Sequence, residues 1–262
     1  MERHRNVTIF ATSVLTVGLA MMLHEAAHVL AGSLVGGTPT LMTSTEVQGN
    51  FDSLSPTGFV ALGIAGFIIN ILFCSLGWWF LRRKPASAEL QLTAWFFFVV
   101  NGMILVLGMF GESLLGYGDR MTILGHMPGT TILRGVFTIL GAIGIFFMVR
   151  RSGAMLAKLI PPGEPQERTT EARRIVLLGA IAATILVFGS SIANPIGTTR
   201  GILLALGAGL GPFIVAMFGT RFVSRFQSEN TEPQTTGVWP WYLAAGVTTF
   251  VMWFVAGPGI NL

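Results

Sequence analysis

The chain has 262 residues, 52% of them hydrophobic and 11% charged, against about 25% charged in ordinary soluble domains; that balance excludes a water-soluble globule and indicates a polytopic membrane protein. Its net charge of +4 is no sign of nucleic-acid binding, because the basic residues sit at the ends of apolar stretches, where Lys and Arg set membrane topology. A single cysteine, Cys74, excludes both an intrachain disulfide and a cysteine-based metal site.

Seven stretches are apolar and long enough to span a bilayer, approximately 7–35, 58–81, 92–117, 132–149, 175–193, 201–218 and 241–256. The expected fold is therefore all-α and polytopic, with about seven transmembrane helices. Arg3 and Arg5 precede the first stretch, and Gly18-Leu19-Ala20 resembles a signal-peptide cleavage site. The hydrophobicity continues well past it, so an uncleaved span is the better reading.

That first stretch carries His24-Glu25-Ala26-Ala27-His28. An ionisable group at mid-membrane costs a few kcal/mol, and here three occur within one and a half turns. On a helix, His24 and His28 lie one turn apart, about 6 Å along the axis, so both imidazoles can face one ion. Glu25 projects about 100° around from His24, where it can reach a water on that ion. Two nitrogen ligands and a general base form the zinc-hydrolase arrangement. The plainer readings are two histidines hydrogen-bonded to neighbouring helices, or a zinc site without activity. The cost of burying three such groups favours zinc-dependent hydrolysis.

After the first span, residues 36–55 are polar and rich in Thr. The composition from Thr38 to Val47 is strand-like and Gly49-Asn50 suits a turn. This segment reads either as a short membrane-associated β-hairpin, whose edge would accept an extended peptide, or as a plain connecting loop. The second span holds Gly63-Ile64-Ala65-Gly66 and Asn70, and the third holds Asn101 and Glu112. Asp119 follows, flanked by Gly116, Gly118 and Gly125. Pro161-Pro162-Gly163-Glu164-Pro165 and the charged run to Arg174 read as a linker. It divides a four-span unit, 1–150, from three further spans, 175–262, with 151–174 as a cytoplasmic connection. Gly207 to Pro212 in the sixth stretch suits close helix packing or a kink, not a phosphate loop.

Orientation follows from charge. With the N-terminus inside, the cytoplasmic segments hold Arg3, Arg5, Arg82, Arg83, Lys84, Arg150, Arg151, Lys158, Arg168, Arg173, Arg174, Arg221 and Arg225. Only Arg120, Arg134 and Arg200 fall on the other side, so a cytoplasmic N-terminus and an outer C-terminus are expected.

A catalytic zinc takes three protein ligands and leaves one position for water. Glu46, Asp52, Glu112, Asp119 and His126 are the candidates for the third. Glu112 is favoured by depth and His126 by chemistry. The glycines around Asp119 would let the backbone turn a carboxylate back toward the site, which is tolerated at that depth only where the backbone lines a cavity.

Across about 7–124, the chain resembles the site-2 protease family of intramembrane zinc metalloproteases. The resemblance is carried by His24-Glu25-Ala26-Ala27-His28, Gly36-Gly37, the Thr38–Val47 stretch, Gly63-Ile64-Ala65-Gly66 with Asn70, and Gly118-Asp119. It implies a three-helix core, Zn²⁺ held by His24, His28 and Asp119, and Glu25 as the base that activates water. Asn70 would lie near the substrate path. Asn101, polar in mid-span, reads either as a residue near the substrate path or behind a metal ligand, or as one that only hydrogen-bonds a neighbouring helix. The usual Asn-Pro-x-x-Asp-Gly form is absent around Asp119, and the glycine-flanked version resembles a divergent prokaryotic branch. The implied activity is hydrolysis of a peptide bond in or near a transmembrane segment, with a membrane protein or peptide as substrate, in a prokaryotic cell membrane. Set against it are a non-catalytic scaffold or regulator that keeps the fold and, more weakly, a metal transporter, which would spread polar residues over several spans. Neither substrate nor oligomeric state can be read from these residues.

Overall fold

The computed structural model describes residues 2–83, 87–116, 118–125, 127–195, 211–226 and 239–262. In chain order these form α1 (Glu2–Leu34), β1 (Thr38–Met42), β2 (Val47–Asn50), α2 (Pro56–Arg83), α3 (Ala88–Leu115), α4 (Asp119–Leu124), α5 (Thr130–Leu159) and α6 (Pro165–Ile192). After them come α7 (Gly211–Gly219), a 3-10 helix (Thr220–Arg225), α8 (Trp239–Val251) continuing as a π-helical turn (Met252–Ala256), and β3 (Ile260–Asn261). Six helices among the described residues are long and apolar enough to cross a membrane: α1, α2, α3, α5, α6 and α8 with its π-helical turn. The protein is thus an all-α polytopic membrane fold. The predicted stretch 201–218 lies half outside the described residues, and α7 is its described part.

Local sequence sets the helix ends. Ser87 caps α3, its hydroxyl accepting the Leu90 N–H, and Gly116 closes the helix in the left-handed region at φ 81. Pro165 opens α6 in the first turn, where a missing N–H costs nothing. Only residues 160–164 interrupt the helices between α5 and α6, so most of 151–174 is helix.

α1 is the central element. Its Thr8, Thr12 and Thr16 hydroxyls donate to carbonyls one turn earlier, and Ser13 donates across to the Gly179 carbonyl of α6. Hydroxyls satisfied in this way can line a helix buried among apolar neighbours. The α1 residues Ile9, Val14, Val17 and Met21 share one core with Trp95, Phe96 and Val99 of α3, Val176 and Ala183 of α6, and Met252. The second half of the chain therefore packs directly on the helix that carries HEAAH.

The two ends of the bundle differ. At one, Arg5 pairs with Glu171, Arg174 donates to Asn6, and Arg168 donates to the carbonyls of Ala157 and Phe226. At the other, β1 pairs antiparallel with β2 and, on its opposite edge, with β3, giving the order β2-β1-β3. The Ser44 N–H donates to the Ala256 carbonyl, Ser44 and Ser190 hydroxyls meet at 3.1 Å, and Asn194 donates to Thr43 and Thr45. α1 starts at the first end and β3 lies at the second.

Candidate metal centre

His24 and His28 lie far along α1, which starts at Glu2, about 33 and 39 Å from its start at 1.5 Å per residue, and so toward the hairpin end. α2 runs antiparallel beside them and presents one face to them through Leu62, Gly63, Gly66 and Asn70. These positions fall at i, i+1, i+4 and i+8, the spacing of one helix face. The Leu62 carbonyl accepts the His28 Nδ1–H at 2.8 Å. The His24 ring lies directly on Gly66, and any side chain there would collide with it. Asn70, fully buried, meets His24 Nδ1 through its carboxamide at 3.1 Å.

Asp119 arrives from the far side. α3 ends at Gly116, the chain turns through Gly118 at φ 92, and Asp119 begins the short α4. Gly118 is required twice over: its positive φ disfavours any other residue, and the Glu112 side chain occupies the space a Cβ would need. α4 is held down where Ile123 packs on Gly63 of α2.

The result is a triangle of donor atoms. His24 Nε2 and His28 Nε2 are 3.1 Å apart, and Asp119 Oδ2 lies 3.1 Å from the first and 3.3 Å from the second. Together the three residues form a group able to hold a metal ion. The donor set fits: ligands at about 2.0–2.1 Å in a tetrahedron lie about 3.3 Å from one another. Protonation logic agrees. With its Nδ1–H spent on Leu62, neutral His28 presents a lone pair at Nε2, facing the lone pairs of a carboxylate oxygen. A positive charge between them makes that contact favourable, and either a metal ion or a proton on Nε2 can supply it.

Glu25 is buried and lies within electrostatic reach of both histidines, Asp119 and Glu46. Glu46 ends the turn after β1, and both strands of the hairpin pack against α1. Access differs around the site: the side chains of His28, His24 and Asp119 are 7%, 15% and 39% exposed, which makes the Asp119 side the open one.

Among the other sequence candidates, Glu112 packs against Gly118 behind the third donor, Asp52 is exposed beyond β2, and His126 lies outside the described residues. Asn101 is buried and donates to the Phe97 carbonyl of its own helix. Two contributors had no assigned role in the sequence, the Leu62 carbonyl and Gly66. The spacing of Gly63, Gly66 and Asn70 on one face was the available signal. No protein-family model matches this chain, no curated protein matches it, and no solved structure matches it.

Proposed function

We propose that the protein is an intramembrane zinc metalloprotease that hydrolyses a peptide bond in or near a transmembrane segment of a membrane protein, as the resemblance to the site-2 protease family suggests. The observation that carries this reading is the convergence of His24 Nε2, His28 Nε2 and Asp119 Oδ2 at 3.1–3.3 Å inside an apolar bundle. Two imidazoles and one carboxylate suit Zn²⁺, and they leave a net charge of about +1 at the site. Zinc bound there would supply Lewis acidity toward water and a peptide carbonyl.

The chain's own residues do the rest. Glu25, one position beyond the first ligand, takes a proton on its carboxylate from the attacking water and delivers it to the leaving amine. His24, His28 and Asp119 hold the centre, while α2 and the Glu112–Gly118 contact keep them in place. The outer edge of β2, since both edges of β1 are already paired, offers an extended substrate main-chain hydrogen bonds, which frees its scissile carbonyl from helical pairing. In this reading the basic end faces the cytoplasm and the metal site lies toward the outer face. The seven crossings expected from the sequence, the one at 201–218 lying partly outside the described residues, would then lie in a prokaryotic cell membrane.

The test is purified protein assayed for zinc content and for cleavage of a reconstituted single-span substrate, beside Glu25→Gln. Glu25→Gln is expected to keep about one zinc per chain and lose cleavage by at least about 10²-fold, the scale of general-base catalysis. Normal turnover in that variant would remove Glu25 as the base.

A further inference from the structure

Resting on that metal-centre reading, we propose that Asn70 is a positioning residue for the metal. Its carboxamide oxygen accepts the His24 Nδ1–H and so commits His24 to binding through Nε2.

The two histidine ligands are held differently. His28 gives its Nδ1–H to a backbone carbonyl, that of Leu62, which no substitution at position 62 removes. His24 has only a side chain at Nδ1, the Asn70 carboxamide at 3.1 Å. A neutral imidazole carries one proton. If His24 Nε2 is to offer its lone pair toward His28 Nε2 and Asp119 Oδ2, the proton sits on Nδ1 and needs an acceptor there. An amide NH₂ facing Nδ1 would set donor against donor in a fully buried place. The carboxamide nitrogen lies toward Nδ1 at 3.1 Å; the oxygen facing Nδ1 instead resolves this conflict. The two arrangements differ by a half-turn of the carboxamide about its last bond, with O and N exchanging places.

Gly66 makes the arrangement stiff. Because the His24 ring lies flat on the bare backbone of Gly66, its plane is fixed, with Asn70 at the Nδ1 edge and the donor triangle at the Nε2 edge. α2 thereby sets which ring nitrogen faces the metal and the direction in which it points. Partners of this kind behind a metal-bound histidine are worth about 10–100-fold in metal affinity. A carboxamide also orients the ring without adding a second negative charge, which leaves the centre more electrophilic than an aspartate would.

The experiment is titration of the metal-free, detergent-solubilised full chain with Co²⁺, read as affinity and as the visible d–d spectrum, in wild type, Asn70→Leu and Asn70→Asp. Asn70→Leu is expected to bind Co²⁺ about 10–100-fold more weakly with an altered spectrum. Asn70→Asp, of nearly the same size, is expected to bind at least as tightly as wild type with the wild-type band shape, because a carboxylate can only accept from Nδ1–H. If Asn70 instead presents its NH₂ to His24, the aspartate faces a lone pair and binding weakens; that result, or wild-type affinity in Asn70→Leu, overturns the proposal. Should Asn70→Leu fail to fold, Asn70→Asp decides alone. A wild-type chain that takes up no Co²⁺ overturns the metal centre itself, an outcome distinct from either of these.

Discussion

The two ends of this bundle are tied by different chemistry. The basic end uses charge: Arg5 on Glu171, Arg168 on two carbonyls, and Arg82 and Arg83 stacked over Trp78 and Trp79 at 5.1 Å each. Arginines over indoles suit a membrane–water boundary, where one part of the pair is wet and the other greasy. The hairpin end uses mainly neutral groups, hydroxyls and amides of Thr43, Ser44, Thr45, Ser190 and Asn194, beside Arg134 on the Ser113 and Leu114 carbonyls, and it carries Glu46, Glu25 and the donor triangle. Where charge meets water it can fix orientation cheaply. Where it is buried it is paired with hydrogen bonds, as Arg168 is with two carbonyls and His28 with that of Leu62. The comparison implies that damage at one end should unseat the metal and damage at the other should loosen the bundle.

The largest effect belongs to the donors themselves. His24→Ala, His28→Ala and Asp119→Ala should each bring bound zinc to near background, measured as metal stoichiometry after purification. Glu112→Gln and His126→Ala should keep it. Normal zinc in Asp119→Ala, with loss in either of the other two, would place the third ligand elsewhere and dissolve the contrast between the ends.

Next in size is a matched pair, one substitution at each end. Gly66→Ala pushes a methyl into the His24 ring and should weaken metal binding about 10–100-fold, the cost of misorienting a ligand. The melting temperature of the metal-free protein should change less than in the partner variant. Arg168→Met strips the Ala157 and Phe226 carbonyls of their donor. At about 1–3 kcal/mol for each buried group left unpaired, it should lower stability by about 2–4 kcal/mol while sparing zinc stoichiometry. A Gly66→Ala protein with full metal affinity would show that the ring has room to move and that α2 does not set its plane.

The sequence announced some of this and concealed the rest for physical reasons. HEAAH stood out because two histidines and a glutamate are costly to place in a hydrocarbon span. Asp119 was less visible: glycines permit a turn but do not say where it leads, and the resemblance alone singled it out from Glu112 and His126. Asn70 was legible as a polar residue in an apolar span, without its partner. The Leu62 carbonyl left no trace, since every residue has one, and Gly66 is required by a ring on a different helix. The charged run 151–174 read as a linker because charge and proline suggest loop, yet long basic side chains let a helix project past a membrane boundary and remain helical. β3 was invisible, because a two-residue strand carries no alternation to detect.

β3 also supplies the smallest expected effect. Both edges of β1 are filled, one by β2 and the other by Ile260–Asn261, with the Leu262 N–H donating to the Thr40 carbonyl at 3.1 Å. Two residues bury little apolar surface, so the pairing is a local clasp and its loss belongs to the low end of the range of opening free energies. Gly259 adopts φ 96 and lies against Leu41, so Gly259→Val would strain the backbone and press on that side chain, releasing the strand without shortening the chain. Hydrogen exchange at Thr40–Met42 should rise a few-fold in Gly259→Val and in a chain lacking residues 260–262. Zinc content should be unchanged in both, because the donors lie on α1 and α4 and are oriented by α2. Loss of zinc together with faster exchange would mean that the hairpin holds α1 in place at the metal, and the neutral hydrogen bonds of that end would then be part of the metal centre's support.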